Sequence, residues 1–316
     1  MTAKTGAMDE RPLRLGMLGL GFSHPHTFAR LLQEGALRPA PDQSATWRRA
    51  SISHIWDYDP AAARSFAAEH GSTVVESPEG MLAAGVDGVL IETKNGKRAR
   101  HALPFLRAHI PTFIDKPICT TPEDLRTILD AARQHGTPLF SCSSGRYDAA
   151  VPALRRLVEE GELGTLLAVR ASTSHTIARY LEEPHTWQDD IAMGGGTIVN
   201  MGIHGMEPLV ALLGPEVESV TCVAEQRHFT TSRSEDTALA TIRWRGGVMA
   251  TLEMYSGSVV GGRSFAACGS AGIVETVGGE LRWWGGKRAP VALPAGPRGY
   301  VPQLEAFLDM VRTGEE

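Results

Sequence analysis

The sequence predicts an N-terminal doubly wound α/β domain of Rossmann type, followed by an α+β domain built on a large, mostly antiparallel open sheet. Three observations carry that expectation. The chain has 316 residues, about twice the length of an ordinary domain. From Leu13 to Cys142, short apolar runs alternate with helical patterns, the cadence of a parallel sheet covered by helices. Beyond Ala149 the strands follow one another at hairpin spacing. The expected boundaries are a flexible leader over 1–12, the first domain over 13–145 and the second over 146–316.

Taken in order, the first-domain strands are expected at Leu13–Leu18, Ser51–Trp56, Thr73–Val75, Val86–Ile91, Thr112–Ile114 and Pro138–Cys142. The helices between them are expected at Thr27–Glu34, Pro60–His70, Lys97–His109 and Pro122–His135. Pro60 and Pro122 suit a first helical turn, and Gly71 and Gly136 suit helix ends. A further helix, Ala149–Glu160, closes at Gly161, and Leu166–Ser174 reads as a long strand. The glycine run 194–196 precedes an apolar helix from about Ile203 to Leu213. Ala238, Ala240, Ile242 and Trp244 alternate on one face, and Val248, Ala250, Leu252 and Met254 repeat the alternation after Gly246 and Gly247, so the pair is a hairpin. Strands at Ser264–Cys268, Ile273–Thr276 and Leu281–Trp284 and a helix over Gln303–Val311 complete the chain.

Composition excludes several function classes. With 42% hydrophobic and 21% charged residues the chain is expected to fold and bury a substantial core. Its 31 Lys and Arg against 36 Asp and Glu leave a net charge of −5, which offers no general field to attract a phosphate backbone or an anionic lipid surface. Neither nucleic acid nor a membrane is expected as a partner. Cys119, Cys142, Cys222 and Cys268 lie far apart without a CxxC pair, so neither a disulfide framework nor a zinc site is suggested, and a reducing, cytoplasmic compartment fits. His24-Pro25-His26 and the later histidines have no thiolate or carboxylate cluster at ligand spacing along the chain, and no metal is expected.

Gly19 and Gly21 follow the first strand and precede an amphipathic helix, an arrangement in which free backbone amides at a helix N-terminus can receive a pyrophosphate. His24 stands where a third glycine is usual, which should hold the helix off the strand or set an imidazole beside the phosphates. Asp57 ends the next strand, where a carboxylate accepts hydrogen bonds from a ribose diol and repels a 2′-phosphate, favouring NAD over NADP. The extra length between glycines and acid falls in 35–49, an expected inserted loop. Asp115-Lys116-Pro117 follows the fifth strand, placing Lys116 at the carboxyl ends of the strands, where doubly wound folds bind ligands. In Gly194-Gly195-Gly196-Thr197-Ile198-Val199-Asn200-Met201-Gly202-Ile203-His204, consecutive glycines are costly unless backbone passes close to something. Asn200 and His204, four apart, share a helix face.

This ordered set resembles the Gfo/Idh/MocA family of nicotinamide-dependent oxidoreductases, over Leu13 to about Leu308. Supporting fragments are Thr93-Lys94-Asn95 where the family has a TPN turn, Arg146-Tyr147, Gly161-Glu162-Leu163-Gly164, Trp187 before the glycine run, and Glu235-Asp236 before the hairpin. The resemblance implies a Rossmann domain that holds the cofactor, through Gly19, Gly21, Phe22, His24, Asp57, Thr93, Asn95, Asp115 and Lys116. It implies a catalytic set of Lys116, His204 and, in the place of the family's aspartate, Asn200. Four departures stand out: Asp115 for glutamate, His24 for glycine, Arg98 where a histidine commonly follows TPN, and Asn200, which cannot ionise. The chain also stops soon after its last helix, where relatives usually continue.

Oxidation of a secondary alcohol needs a hydride acceptor and a base for the hydroxyl proton. A lysine would have to fall from about 10.4 to near 7 to accept that proton, roughly 4 kcal/mol, whereas a histidine titrates near 6.5 unaided. The expected roles are therefore Lys116 polarising the substrate oxygen, His204 relaying the proton and Asn200 orienting a hydroxyl. Arg146, Tyr147, His175, His185, Trp187 and Asp189 are candidates for a polar pocket suited to a sugar, cyclitol or related polyol. Two other readings stay open: an enzyme that retains NAD and catalyses elimination or glycosidic cleavage without net redox change, and a cofactor-sensing regulator without turnover. Apolar strands in the second domain suggest a homodimer or homotetramer through a sheet face.

Overall fold

The structure, a computed structural model, describes residues 11–41, 43–44, 46–181, 186–284, 288–293 and 299–315. The chain divides into two units, 1–141 together with 300–316, and 142–299. The expected leader lies almost wholly outside the described residues.

The first unit is a six-stranded parallel sheet with helices between its strands. Its elements are β1 (Leu13–Leu18), α1 (His24–Gln33), β2 (Ala50–Trp56), α2 (Pro60–His70), β3 (Thr73–Val74), α3 (Pro78–Ala83), β4 (Gly88–Ile91), α4 (Arg98–Arg107), β5 (Thr112–Ile114), α5 (Pro122–His135) and β6 (Leu139–Phe140). The strand order β3-β2-β1-β4-β5-β6 reverses at β1, which makes the carboxyl ends of β1 and β4 the natural ligand crevice. β1, β4 and β5 are almost continuously buried and apolar, as a sheet covered on both faces requires. Helix starts follow local chemistry: the side chains of Asp59, Ser77 and Thr121 accept from backbone N–H groups of α2, α3 and α5, and each of these helices has proline in its first turn. α3 was not expected; it is six residues long, too short to show a period.

The second unit contains α6 (Ala150–Glu159), β7 (Leu166–Ser174), α7 (Ala178–Leu181), α8 (Thr197–Leu213), β8 (Val217–Glu225), β9 (Thr237–Trp244), β10 (Met249–Tyr255), β11 (Gly262–Gly269), β12 (Gly272–Val277), β13 (Glu280–Trp284) and β14 (Val291–Ala292). Its eight strands run β14-β13-β12-β11-β7-β10-β9-β8. All neighbours are antiparallel except β10 and β7, which pair in parallel. One face packs on α8, which α6 covers in turn, around a core that includes Val169, Ala171, Ile242, Leu252 and Phe265. β8 was not expected; eight of its nine residues are exposed, so it carries no alternation to read.

The last helix, α9 (Tyr300–Thr313), departs from the expected boundary. It belongs to the first unit, where Leu304, Phe307, Leu308 and Met310 share a core with Leu15, Phe28, Leu90 and Phe113. Glu305 binds Arg38, with Oε2 2.6 Å from a guanidinium nitrogen, and Asp309 binds Arg48 and accepts from the Trp47 indole. The inserted segment after α1 therefore has a definite role: it carries the cations and the indole that dock this helix.

Candidate functional site

The glycine turn after β1 is dictated by space. Gly19 has φ +98°, and a Cβ there would lie 2.7 Å from the backbone of Glu92 and Thr93 at the end of β4. The turn is also tied to β2, since the Asp57 carboxylate accepts from Leu20 N–H at 2.6 Å and from Asp59 N–H at 2.7 Å. Asp57 thus stands at the carboxyl end of β2 beside the turn, as the dinucleotide reading requires. The Thr93 hydroxyl at the end of β4 is buried with no hydrogen-bond partner among the described residues. A glycine without room for a side chain, an acid at the second strand's end and an orphaned hydroxyl fit a bound dinucleotide. Trp56 and Tyr58, on either side of Asp57, also line a cavity of about 220 Å³ with Lys97, Arg100 and His101. Burial pushes Tyr58 up to about 12 and His101 down to about 4.

The carboxyl end of β5 holds a buried polar constellation. His24 Nδ1 lies 3.0 Å from Asp115 Oδ2, and Arg98, fully buried, reaches the same oxygen at 3.3 Å. Arg98 also donates to the carbonyls of Thr93 at 3.1 Å, Asp115 at 2.6 Å and Pro117 at 2.5 Å. His24 is therefore engaged by Asp115 at Nδ1, a partner the sequence did not disclose. Three of the four departures from the family pattern, His24, Arg98 and Asp115, are one hydrogen-bonded network: the shorter acid at 115 is met by a larger base at 24 and a longer one at 98.

Lys116 follows, joined to Pro117 by a cis peptide, with its ammonium 5.8 Å from the Phe22 ring centre. Phe22 also stacks on His24. Asn95 is buried in the turn that enters α4. Beneath them Glu92 is completely buried. Desolvation and the neighbouring Asp115 charge push its carboxyl well above the usual range. For Asp115 burial acts in the same upward direction, but His24, Arg98 and Lys116 outweigh it and hold the carboxyl below its usual range. His24, Glu92 and Asp115 are close enough to suggest metal ligands, yet the guanidinium of Arg98 already supplies Asp115 with positive charge. Sequence reasoning missed Glu92; its only signal is an acid directly after a wholly apolar strand.

In the second unit the glycine run is tight for identifiable reasons. A Cβ on Gly195 would meet the Gln188 carbonyl oxygen at 2.3 Å, and one on Gly196 would meet the Glu235 carboxylate at 2.7 Å. Glu235 accepts from Ile198 N–H at 2.8 Å, capping α8 from a distant segment. α8 then lies close on the sheet, since added Cβ atoms at Gly202 and Gly205 would meet Met254 Sδ at 3.0 Å and Leu252 Cδ1 at 2.4 Å. That contact turns Gly202 and Gly205 to the strands and leaves Asn200 and His204 half-buried beside them.

Asn200 donates from Nδ2 to the Gly196 carbonyl at 2.9 Å, a bond that an ionised aspartate could not make. Arg146 and Tyr147 lie in a 3-10 turn, Ser144–Tyr147, packed on α8, where Gly145 approaches the His204 carbonyl. Glu207, one turn beyond His204, accepts from Ser143 N–H at 2.8 Å, and burial pushes its carboxyl up. Glu207 was missed, although its i+3 spacing from His204 is visible in the sequence. His175 is exposed just after β7, and Trp187 is half-buried in the segment that passes the glycine run. His185 lies outside the described residues.

Asp189 departs from the expected pocket role. It is 1% exposed, and its carboxylate accepts from Ser232, Ser234 and the N–H of Arg233, so it organises a loop.

Residues 13–142 match the oxidoreductase family with NAD-binding Rossmann fold, and residues 151–275 match the GFO/IDH/MocA C-terminal domain. The inositol 2-dehydrogenase 2 of Saccharopolyspora erythraea is 25% identical, over 84% of this chain and 79% of its own length. The D-glucoside 3-dehydrogenase of Escherichia coli is 25% identical over 78% and 71%. Among solved structures, the WlbA dehydrogenase of Bordetella pertussis, in complex with NADH and UDP-GlcNAcA, is 25% identical with a TM-score of 0.72, covering 84% of this chain and 79% of that one. An oxidoreductase of Thermotoga maritima, 20% identical, shares the fold with a TM-score of 0.81 over 97% and 90%. With both its sheets and its ordered motifs accounted for, the chain belongs to the Gfo/Idh/MocA family of NAD-binding oxidoreductases.

Proposed function

We propose that the chain transfers a hydride between NAD and a hydroxyl or carbonyl of a sugar, cyclitol or related polyol, using Lys116, His204 and Asn200 on the substrate. The observation that carries this reading is Lys116 at the carboxyl end of β5. Its ammonium stands over the Phe22 ring of the glycine turn, and the adjoining backbone is held by Arg98. The relatives support the substrate class, being named for inositol and for glucosides. NAD when bound supplies the hydride acceptor. Lys116 polarises the reacting oxygen, His204 relays its proton, and Asn200, its amide nitrogen engaged by Gly196, orients a hydroxyl through its oxygen. Arg146, Tyr147, His175, His185 and Trp187 contribute to substrate binding.

A panel of polyols and sugars, followed through NADH absorbance, tests the assignment. Lys116→Ala and His204→Ala should each lower kcat by at least about 100-fold; wild-type turnover in both would overturn the roles assigned to them. Turnover of a glycoside without accumulating NADH would instead indicate the cofactor-retaining reaction. NAD binding with no absorbance change across the panel would indicate a regulator.

We also infer a cytoplasmic homo-oligomer. No disulfide links the four cysteines, and among the described residues no helix is long and apolar enough to cross a membrane. The sheet face away from α8 carries Val223, Leu239, Met249, Ile273 and Trp284, each at least 40% exposed. Apolar side chains spread over a flat sheet suit a self-complementary contact. Light scattering should find a dimer or tetramer that Leu239→Glu dissociates, and a wild-type monomer would sink the idea.

A further inference from the structure

A second cluster lies between α1 and α2. His26 is in the first turn of α1; Glu69 and His70 are the last two residues of α2. His26 Nδ1 is 3.2 Å from His70 Nε2 and 3.4 Å from Glu69 Oε2, and Glu69 Oε1 is 3.4 Å from His70 Nε2. Ligands about 2.05 Å from a tetrahedral ion stand about 3.3 Å from one another. The two imidazole nitrogens therefore already have the mutual spacing of two corners of such a shell, and the carboxylate stands beside both, one oxygen facing each.

The surroundings prepare one of these ligands. Gln33, two turns after His26 on α1, donates from Nε2 to the His70 carbonyl at 3.0 Å, which turns its Oε1 to His70 Nδ1 at 3.2 Å. An amide oxygen only accepts, so Nδ1 carries the proton and the Nε2 lone pair faces His26 and Glu69. This is the outer hydrogen bond that orients metal-bound histidines. The His70 side chain is 5% exposed, and its ring and that of His26 both pack on Phe66. The side chains of His26 and Glu69 are 47% and 58% exposed, leaving the fourth corner open to solvent.

We propose that His26, Glu69 and His70 form a surface site for a divalent transition cation of the zinc class, completed by water and oriented by Gln33. The expectation of no metal rested on spacing along the chain. Folding supplies from α2 the carboxylate and second imidazole that the sequence around His26 lacks. A bound ion would staple the two helices through their adjacent ends.

The test is titration of the full-length, untagged, metal-stripped protein with Zn²⁺ alone, in competition with a chromogenic chelator. One ion per chain should bind competitively. His26→Ala and Glu69→Ala, both at exposed positions where folding should survive, should each weaken binding at least 10-fold. Gln33→Leu should weaken it by about 10- to 100-fold while leaving all three ligands in place. Co²⁺ in the same site should give the intense visible bands of tetrahedral coordination, and these should vanish in His26→Ala. Zn²⁺ affinity unchanged in His26→Ala and Glu69→Ala, or no binding by the wild type, would overturn the proposal.

Discussion

Asp115 in the first unit and Asp236 in the second are equally buried, 1% and 0% exposed, yet they are held by different means. Side chains from other elements, His24 and Arg98, surround Asp115. Asp236 is held chiefly by its own neighbourhood: the N–H groups of Arg227, His228 and Phe229 and the Thr237 hydroxyl all donate to it. A carboxylate bound by nearby backbone shapes a loop. One bound by side chains from distant elements fixes how those elements meet, and in this fold they meet beside Lys116.

If that distinction is right, removing Asp115 should have the larger effect. Asp115→Ala leaves Arg98 buried with its principal countercharge gone, and should destabilise by about 3–5 kcal/mol in denaturant unfolding; a loss below 1 kcal/mol would show that the network is dispensable. Asp236→Ala strands three backbone donors at smaller individual cost, and about 3 kcal/mol is expected. Burial raises the Asp236 carboxyl, but those N–H donors outweigh it and hold the carboxyl below its usual range. Its contribution is therefore present above about pH 3.9 and lost as pH falls through the lower folded value.

Glu92 has the opposite sign. Its carboxyl is raised in the fold, so it favours the native state below about pH 4.3 and weighs against it as pH rises towards the folded value. Glu92→Gln should match the wild type near pH 4 and become relatively more stable above, with a gap growing by at most about 1.4 kcal/mol per pH unit. A gap independent of pH would mean that Glu92 is ionised in the fold. The smallest effect is expected for Glu235→Ala, which uncaps α8 and should cost about 1 kcal/mol. A loss as large as that of Asp236→Ala would place Glu235 with the loop anchors.

The sheet strands were legible where one rule sufficed. β1, β5 and β7 and the helices α2 and α5 have the bounds expected from apolar runs, proline starts and glycine ends. The need for close backbone approach at the glycine run was legible too, since only a missing Cβ explains three such residues together. The partners in that approach, Gln188 and Glu235, were not legible, because neither follows from chain neighbours. Likewise the site motifs were visible, whereas the pairings of Asp115 with His24 and with Arg98 span 91 and 17 residues and have no local period.

By itself the sequence determined the types of most elements, though not α3 or β8, together with the glycine turn with its acid at Asp57, and the family. Those depend on backbone sterics and on side-chain periodicity, which act over a few residues. Only the tertiary structure decided that α9 completes the first unit's core, that Asp189 and Asp236 anchor loops, and that His26 meets Glu69 and His70. An amphipathic helix or a polar side chain shows that it needs a partner; which partner it obtains depends on what the rest of the fold brings within reach.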